Sequence, residues 1–225
     1  MHDLPQSPET FFGRLSQGVA RRLVTNRFYP SQCRYNLTIG SEPKFIWYRV
    51  AKTGTRTIFD ALRSGGVRFL SENGVFQHYR PAAMHGYFKF AFVRDPVDRF
   101  LSCWRDRVLD RNHFGFGSEE LVKMRKLAEF VGFAESTDVD RCDVHLRAQC
   151  RLIDLGNVDF IGRMERFEED LRLVLDKLNL RGVRIPWRNA SSRDRSGEVI
   201  DPALRRRIEK IYERDLRILG YSSDR

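Results

Sequence analysis

Short apolar runs separated by amphipathic stretches make up the chain from Lys44 onward. The runs are rich in aromatic and β-branched residues, as is typical of strands, and they lie at residues 45–50, 67–70, 88–93 and 158–162. Apolar positions three and four residues apart predict helices near 57–63, 97–108, 119–133, 143–154, 168–178 and 202–219. Strands that alternate with helices predict an α/β fold, a three-layer sandwich with a central parallel sheet.

The first forty residues have a different pattern. Residues 11–24 show helical periodicity, and residues 26–42 read as a loop. No linker rich in Gly, Ser or Pro divides the remainder. We therefore predict an N-terminal accessory segment over residues 1–43 and one main domain over residues 44–225.

Composition limits the function classes. The 225 residues carry 40 basic and 30 acidic side chains, a net charge of +10, which favours anionic partners. No apolar run is long enough to span a bilayer and no secretory signal is visible, so we expect a cytoplasmic protein. The four cysteines contain no CxxC pair and are expected to be reduced thiols: Cys33, Cys103, Cys142 and Cys150.

The first candidate anion-binding loop follows the strand at 45–50. A glycine in the turn, Gly54, allows successive amides to point at one anion, and Lys52 adds a positive charge. The hydroxyl and guanidinium donors around them are Thr53, Thr55, Arg56 and Thr57. The loop is not a Walker motif, because Lys52 precedes the only glycine. A plain strand-to-helix turn with threonine caps is the structural alternative.

The second candidate loop follows the strand at 88–93. Arg94 leaves the strand end, Asp95 and Pro96 are suited to start a helix, and Ser102 lies two turns into that helix. Ligands of parallel sheets bind beyond the carboxyl ends of the strands, where both loops are expected. The structural alternatives are an ion pair between Arg94 and a neighbouring aspartate, and an ordinary surface position for Ser102.

Together these residues resemble the two loops with which sulfotransferases bind 3′-phosphoadenylyl sulfate (PAPS). The similarity is to the family that includes chondroitin-type carbohydrate sulfotransferases and uronosyl 2-O-sulfotransferases. Residues 49–55 resemble the 5′-phosphosulfate loop, and residues 90–102 resemble the 3′-phosphate element R-[DN]-P-x-x-R-x-x-S. Weaker similarities lie at 143–149, 160–165, 187–191, 211–215 and 219–221. Ala51 stands where members often have proline, and the membrane anchor of the animal Golgi enzymes is not seen.

The resemblance implies a P-loop-like sulfotransferase fold and a role for each loop. Lys52 would stabilise the leaving oxygen, while residues 53–57 hold the 5′ side of PAPS. Arg94 and Ser102 would bind the 3′-phosphate. Sulfuryl oxygens carry less charge than phosphoryl oxygens, so no metal is expected.

The acceptor must lose a proton, and a histidine is suited to accept it. In 2-O-sulfotransferase-like members the proposed base is a histidine upstream of the 3′-phosphate strand, a place that His78 matches best; His85, a carboxylate or another histidine is the alternative. His145 is expected to be structural because it falls in a predicted amphipathic helix. A metal cluster of Cys142, His145 and Cys150 is conceivable but lacks a fourth ligand.

The acceptor is expected to be a carbohydrate or another hydroxyl compound, with acidic groups if arginines at 105–111 and 188–195 line the cleft. Two other classes stay open. One is a non-catalytic binding protein for nucleic acid or a polyanionic glycan, to which residues 205–207 would contribute; the other is a kinase-like nucleotide enzyme. No nucleic-acid motif is present, and nucleic acid is not expected as a partner.

Overall fold

A computed structural model of the protein describes residues 34–185 and 200–221. Within these ranges one sheet has five strands in the order β3-β1-β2-β4-β5. The strands are β1 (Arg34–Glu42), β2 (Lys44–Tyr48), β3 (Arg68–His78), β4 (Phe88–Val93) and β5 (Phe160–Arg163). Strands β2, β4 and β5 are parallel, whereas β1 is antiparallel to both of its neighbours.

Seven α-helices lie in the described ranges. They are α1 (Thr55–Ser64), α2 (Pro96–Trp104), α3 (Ser118–Met124), α4 (Leu127–Glu135), α5 (Phe167–Lys177), α6 (Pro202–Ile211) and α7 (Glu213–Leu219). A wider π-helical turn, Arg105–Leu109, continues α2. None of the helices in the described part is long and apolar enough to cross a membrane.

Helices cover both faces of the sheet, which confirms the three-layer α/β expectation. Along β2, Trp47 packs into the cluster formed with α1 and α5, whereas Tyr48 points to the other face, where Leu152 and Leu219 lie. A third cluster joins α2, α4 and α6 beside the sheet. Parallel pairing of β2 with β4 places the carboxyl ends of these two strands side by side.

The sheet is larger and more mixed than predicted. The loop expected before residue 43 is wrong for Arg34–Glu42, which form β1 at the centre of the antiparallel part. Strand β3 continues to His78 instead of ending at Leu70. The parallel part of the sheet is limited to β2, β4 and β5.

The predicted helix over 143–154 is also wrong. This segment consists of turns and one short 3₁₀ turn, Gln149–Arg151. The Asp143 carboxylate accepts a hydrogen bond from the backbone of His145, at 2.9 Å. The buried carboxylate of Asp215 accepts from the backbone amides of Gln149 (2.7 Å) and Cys150 (2.9 Å). Side-chain carboxylates therefore accept hydrogen bonds from backbone amides that, in a helix, would donate to backbone carbonyls.

The end of the chain largely follows its prediction. Asp201 caps α6 by accepting from Ala203, and Gly220 ends α7 with a left-handed φ of 65°. The helix predicted over 202–219 is divided at Tyr212, and the one over 119–133 is divided after Met124. The predicted helix at 11–24, the similarity at 187–191 and the arginines at 188–195 lie outside the described residues, as does Cys33.

Candidate functional site

The two predicted loops lie next to each other. Strands β2 and β4 are parallel neighbours, and Tyr48 pairs with Ala91 close to their carboxyl ends. Each loop starts directly after its strand and leads into a helix, α1 or α2. Both loops therefore open at the same edge of the sheet.

The first loop turns sharply before α1. Lys52 and Gly54 both have a φ of 71°, and Gly54 occupies the N-cap of α1. A Cβ on Gly54 would lie 2.7 Å from Cε2 of Phe167, so only glycine fits between the loop and α5. The first turn of α1 contains no acidic residue, which leaves its amides and partial positive charge available for an anion.

The remaining side chains of this loop differ in exposure. Thr53 is buried, and its hydroxyl donates to the Val50 carbonyl at 2.9 Å, so it stabilises the turn. Thr55 and Thr57 are half-buried, and Arg56 is exposed, all in the first turn of α1.

The ammonium of Lys52 contacts a carboxylate that the sequence analysis missed. Its Nζ atom lies 3.1 Å from Oδ2 of Asp106, on the π-helical turn. The same carboxylate lies 3.2 Å from Nε of Arg107 and 3.7 Å from Nε of Arg111. Burial opposes ionisation of Asp106, but the hydrogen bond and charge of Lys52, with both arginines, outweigh it and lower its pKa.

The second loop begins α2 with a well-formed cap. The Asp95 carboxylate accepts from the amides of Val97 (2.9 Å) and Asp98 (3.1 Å), and Pro96 is the first helical residue, as predicted. Arg94 and Ser102 are each only 7% exposed, so Ser102 is not an ordinary surface position.

The backbone of Arg94 is held from both sides by one buried amide. Its N–H donates to Oε1 of Gln149 at 3.0 Å, and its carbonyl accepts from Nε2 of Gln149 at 2.8 Å. Asp215, from α7, in turn holds the backbone of Gln149. The end of the chain therefore positions the second loop.

Arg99 ties the two loops together. This α2 side chain is 1% exposed. It donates through Nε to the Ala51 carbonyl at 3.1 Å and through Nη2 to the Val144 carbonyl at 3.0 Å. The second arginine of the R-[DN]-P-x-x-R pattern therefore stabilises the first loop.

Two of the candidate histidines lie at opposite edges of the sheet. His78 ends β3, which runs in the same direction as β2 because both are antiparallel to β1; it therefore lies at the carboxyl edge. It is 8% exposed, and burial, with the charges of Arg80 and Arg34, lowers its pKa. His85 is exposed and lies just before β4 begins, hence at the amino edge.

His145 belongs to a hydrogen-bonded group next to the π-helical turn. Its Nδ1 lies 2.7 Å from Oδ1 of Asp143, and its Nε2 lies 2.6 Å from Nη2 of Arg107. Because a guanidinium can only donate, Nε2 is the accepting nitrogen and the proton resides on Nδ1. His113 completes the group, with Nε2 3.3 Å from Oδ2 of Asp143.

This arrangement shifts both pKa values of the central pair. The hydrogen bond from His145 holds the pKa of Asp143 well below its usual range, and burial lowers the pKa of His145. The group of described residues whose ligand atoms have metal-like spacing is His113, Asp143 and His145, without Cys142 or Cys150.

Comparisons with known proteins agree with this arrangement. A family model described as "Sulfotransferase family" matches residues 35–222. Human carbohydrate sulfotransferase 14 is 31% identical over 129 residues, which cover 50% of this chain and 34% of that protein. Carbohydrate sulfotransferase 12 of Xenopus laevis is 27% identical over 188 residues, which cover 68% of this chain and 45% of that protein. The chain thus spans between a third and a half of the length of these relatives. No solved structure matches it significantly.

Proposed function

Because the chain belongs to the sulfotransferase family, we propose that it transfers a sulfuryl group from PAPS to an acceptor hydroxyl. The observation that carries this proposal is the pair of loops at the carboxyl ends of β2 and β4, which open at one edge with basic side chains in each. A single nucleotide with a phosphate at either end is suited to such a pair.

The donor-binding roles follow from this placement. The amides at the start of α1, with Thr55, Arg56 and Thr57, bind the 5′ phosphosulfate. Lys52 stabilises the negative charge that develops on the leaving oxygen. Arg94 and Ser102 bind the 3′-phosphate through a charge-assisted fork and a hydroxyl. Thr53 supports the loop through its bond to Val50. No metal is part of the proposal.

A histidine is proposed as the general base, and His78 remains the candidate predicted from sequence. Its position at the carboxyl edge of β3 supports this role, and its lowered pKa keeps the imidazole neutral and able to accept a proton. His85, the alternative, lies at the opposite edge.

Carbohydrate is the proposed acceptor class, since the matched relatives are named carbohydrate sulfotransferases. The basic side chains near the site, Arg105, Arg107 and Arg111, favour an acceptor with acidic groups. A cytoplasmic location stays a prediction.

The first test is binding of the product nucleotide, 3′,5′-ADP (PAP). Thermal unfolding of the protein with and without PAP should show stabilisation of about 2.7 kcal/mol at a hundredfold excess over Kd. Arg94→Ala should remove most of this stabilisation. Stabilisation by DNA or heparin but not PAP would favour the polyanion-binding alternative, and a requirement for ATP and Mg²⁺ would favour the kinase-like one.

The second test is the reaction itself. Incubation with labelled PAPS and a panel of glycans and small alcohols should label at least one acceptor, and Lys52→Met should abolish labelling. Binding of PAP with no transfer to any acceptor class in the wild-type protein would contradict the proposed activity.

A further inference from the structure

Lys52 has a protein partner. Its ammonium lies 3.1 Å from the Asp106 carboxylate, 54 residues along the chain. The same ammonium is proposed to approach the leaving oxygen of PAPS, which is also anionic. The Asp106 carboxylate and the donor therefore compete for the same ammonium.

We propose that Asp106 is the internal counter-ion that the donor displaces from Lys52, and that this carboxylate thereby sets the affinity for the donor nucleotide. The inference rests on the proposed function, because it requires Lys52 to bind the nucleotide. Asp106 acts through Lys52 and is a positioning residue.

The helix that carries Ser102, one of the two residues proposed to bind the 3′-phosphate, also places Asp106. Helix α2 contains Ser102 and continues into the turn Arg105–Leu109, in which the Asp110 amide donates to the Arg105 carbonyl at 3.0 Å. Such wide turns change the direction of the side chains that follow them and are frequent at functional sites. The element that binds one end of the donor thus extends a carboxylate to the loop that binds the other end.

The surroundings of Asp106 make the exchange feasible. When Lys52 moves to the donor, the carboxylate keeps Arg107 at 3.2 Å and Arg111 at 3.7 Å, so it is not left as an unpaired charge. The pair with Lys52 is partly shielded, with side-chain exposures of 18% and 20%. A pair of this kind is strong enough to weaken a competing ligand but not to exclude it.

Titration calorimetry with PAP and a double-mutant cycle test the inference. Asp106→Asn keeps the shape of the side chain and removes its charge, and it should tighten PAP binding about fivefold to tenfold. In a Lys52→Met background the same substitution should change PAP affinity less than about twofold, because the contested ammonium is gone. Asp176→Asn, on the exposed side of α5, is the matched control and should have no effect.

The results distinguish a positioning role of Asp106 from a structural role and from a general charge effect. A loss of structure at residue 106 would weaken PAP binding, so tightening is not explained by a merely structural role. Unchanged or weaker binding in Asp106→Asn overturns the inference, and so does equal tightening with and without Lys52, which would indicate a general charge effect. If Asp106→Asn does not fold, Asp106→Ala enters the same cycle. Failure of the wild-type protein to bind PAP would instead overturn the proposed function.

Discussion

The amide of Gln149 offers a sharp test of how the second loop is held. It accepts from the Arg94 N–H at 3.0 Å and donates to the Arg94 carbonyl at 2.8 Å, and Gln149 is fully buried. The substitution Gln149→Glu keeps the shape of the side chain. It replaces the donating –NH₂ group with an oxygen that faces the carbonyl oxygen of Arg94.

The expected loss in the free energy of unfolding follows from these contacts. The Arg94 carbonyl loses its donor, which costs about 1–3 kcal/mol, and an ionised carboxylate in a buried site adds to this loss. We expect a decrease of about 3 kcal/mol in the free energy of unfolding at pH 8. When the introduced carboxyl is protonated, its O–H donates to the same carbonyl and most of the loss disappears.

The pH dependence therefore has a defined sign. The folded state favours the neutral acid and raises the pKa of the introduced carboxyl above its unfolded value of about 4.3, by about two units for a 3 kcal/mol penalty. The difference in stability from the wild-type protein should be small near pH 4.5. It should grow as the pH rises through the raised pKa and then stay constant.

Urea unfolding at pH 5 and pH 8 measures this difference, and PAP titration should show affinity reduced about tenfold at pH 8, because Arg94 is displaced. Asn179→Asp, the same chemical change at an exposed position just after α5, should lower stability by less than about 1 kcal/mol, the cost of a negative charge near the carboxyl end of a helix. A Gln149→Glu protein as stable as the wild type at pH 8 would refute the proposed role of this amide.

Three further changes test other parts of the site. Gly54→Ala forces a left-handed residue (φ 71°) and a 2.7 Å approach to Phe167; thermal unfolding should show a loss of about 2–4 kcal/mol, and a loss below 1 kcal/mol would argue against this tight fit. His78→Asn should reduce turnover about 10²- to 10⁴-fold with PAP affinity unchanged. In the wild type, turnover should fall as the pH drops through a pKa below 6.5; the same fall in the residual activity of the His78→Asn protein would exclude His78 as the base. Arg99→Lys should lose the contact with Ala51 (3.1 Å) and weaken PAP binding severalfold, whereas unchanged affinity would show that the first loop does not depend on it.

Short-range sequence preferences were enough to predict the two strands and the turns that follow them. The strands β2 and β4 are predominantly apolar, and each is followed by a residue with a strong turn or capping preference, Gly54 or Asp95. These preferences act over a few residues, so they are visible without the fold. The placement of both loops at one edge followed from the rule for parallel strands.

Contacts between distant residues account for what the sequence did not predict. The 143–154 segment has helical periodicity, but Asp215, more than sixty residues later, takes the amides that a helix would need. The antiparallel strand β1 is defined by its pairing with β2 and β3, and its own pattern was read as a loop. Asp106 became visible as a partner of Lys52 only when the fold brought the two together.

The contact of Asp215 with the 149–150 backbone also bears on how the protein matures during synthesis. Gln149 cannot hold Arg94 in place until α7 supplies that carboxylate, and Tyr221 reaches Glu165, which accepts from the Asp95 amide. While α6 and α7 are still inside the ribosome, the residues of all five strands have already emerged. The nucleotide pocket is then incomplete, because the Asp215 carboxylate is missing from it. Competence to bind substrate should arise abruptly, when residues 202–221 emerge, and a chain stopped before Asp215 should be inactive even where it folds.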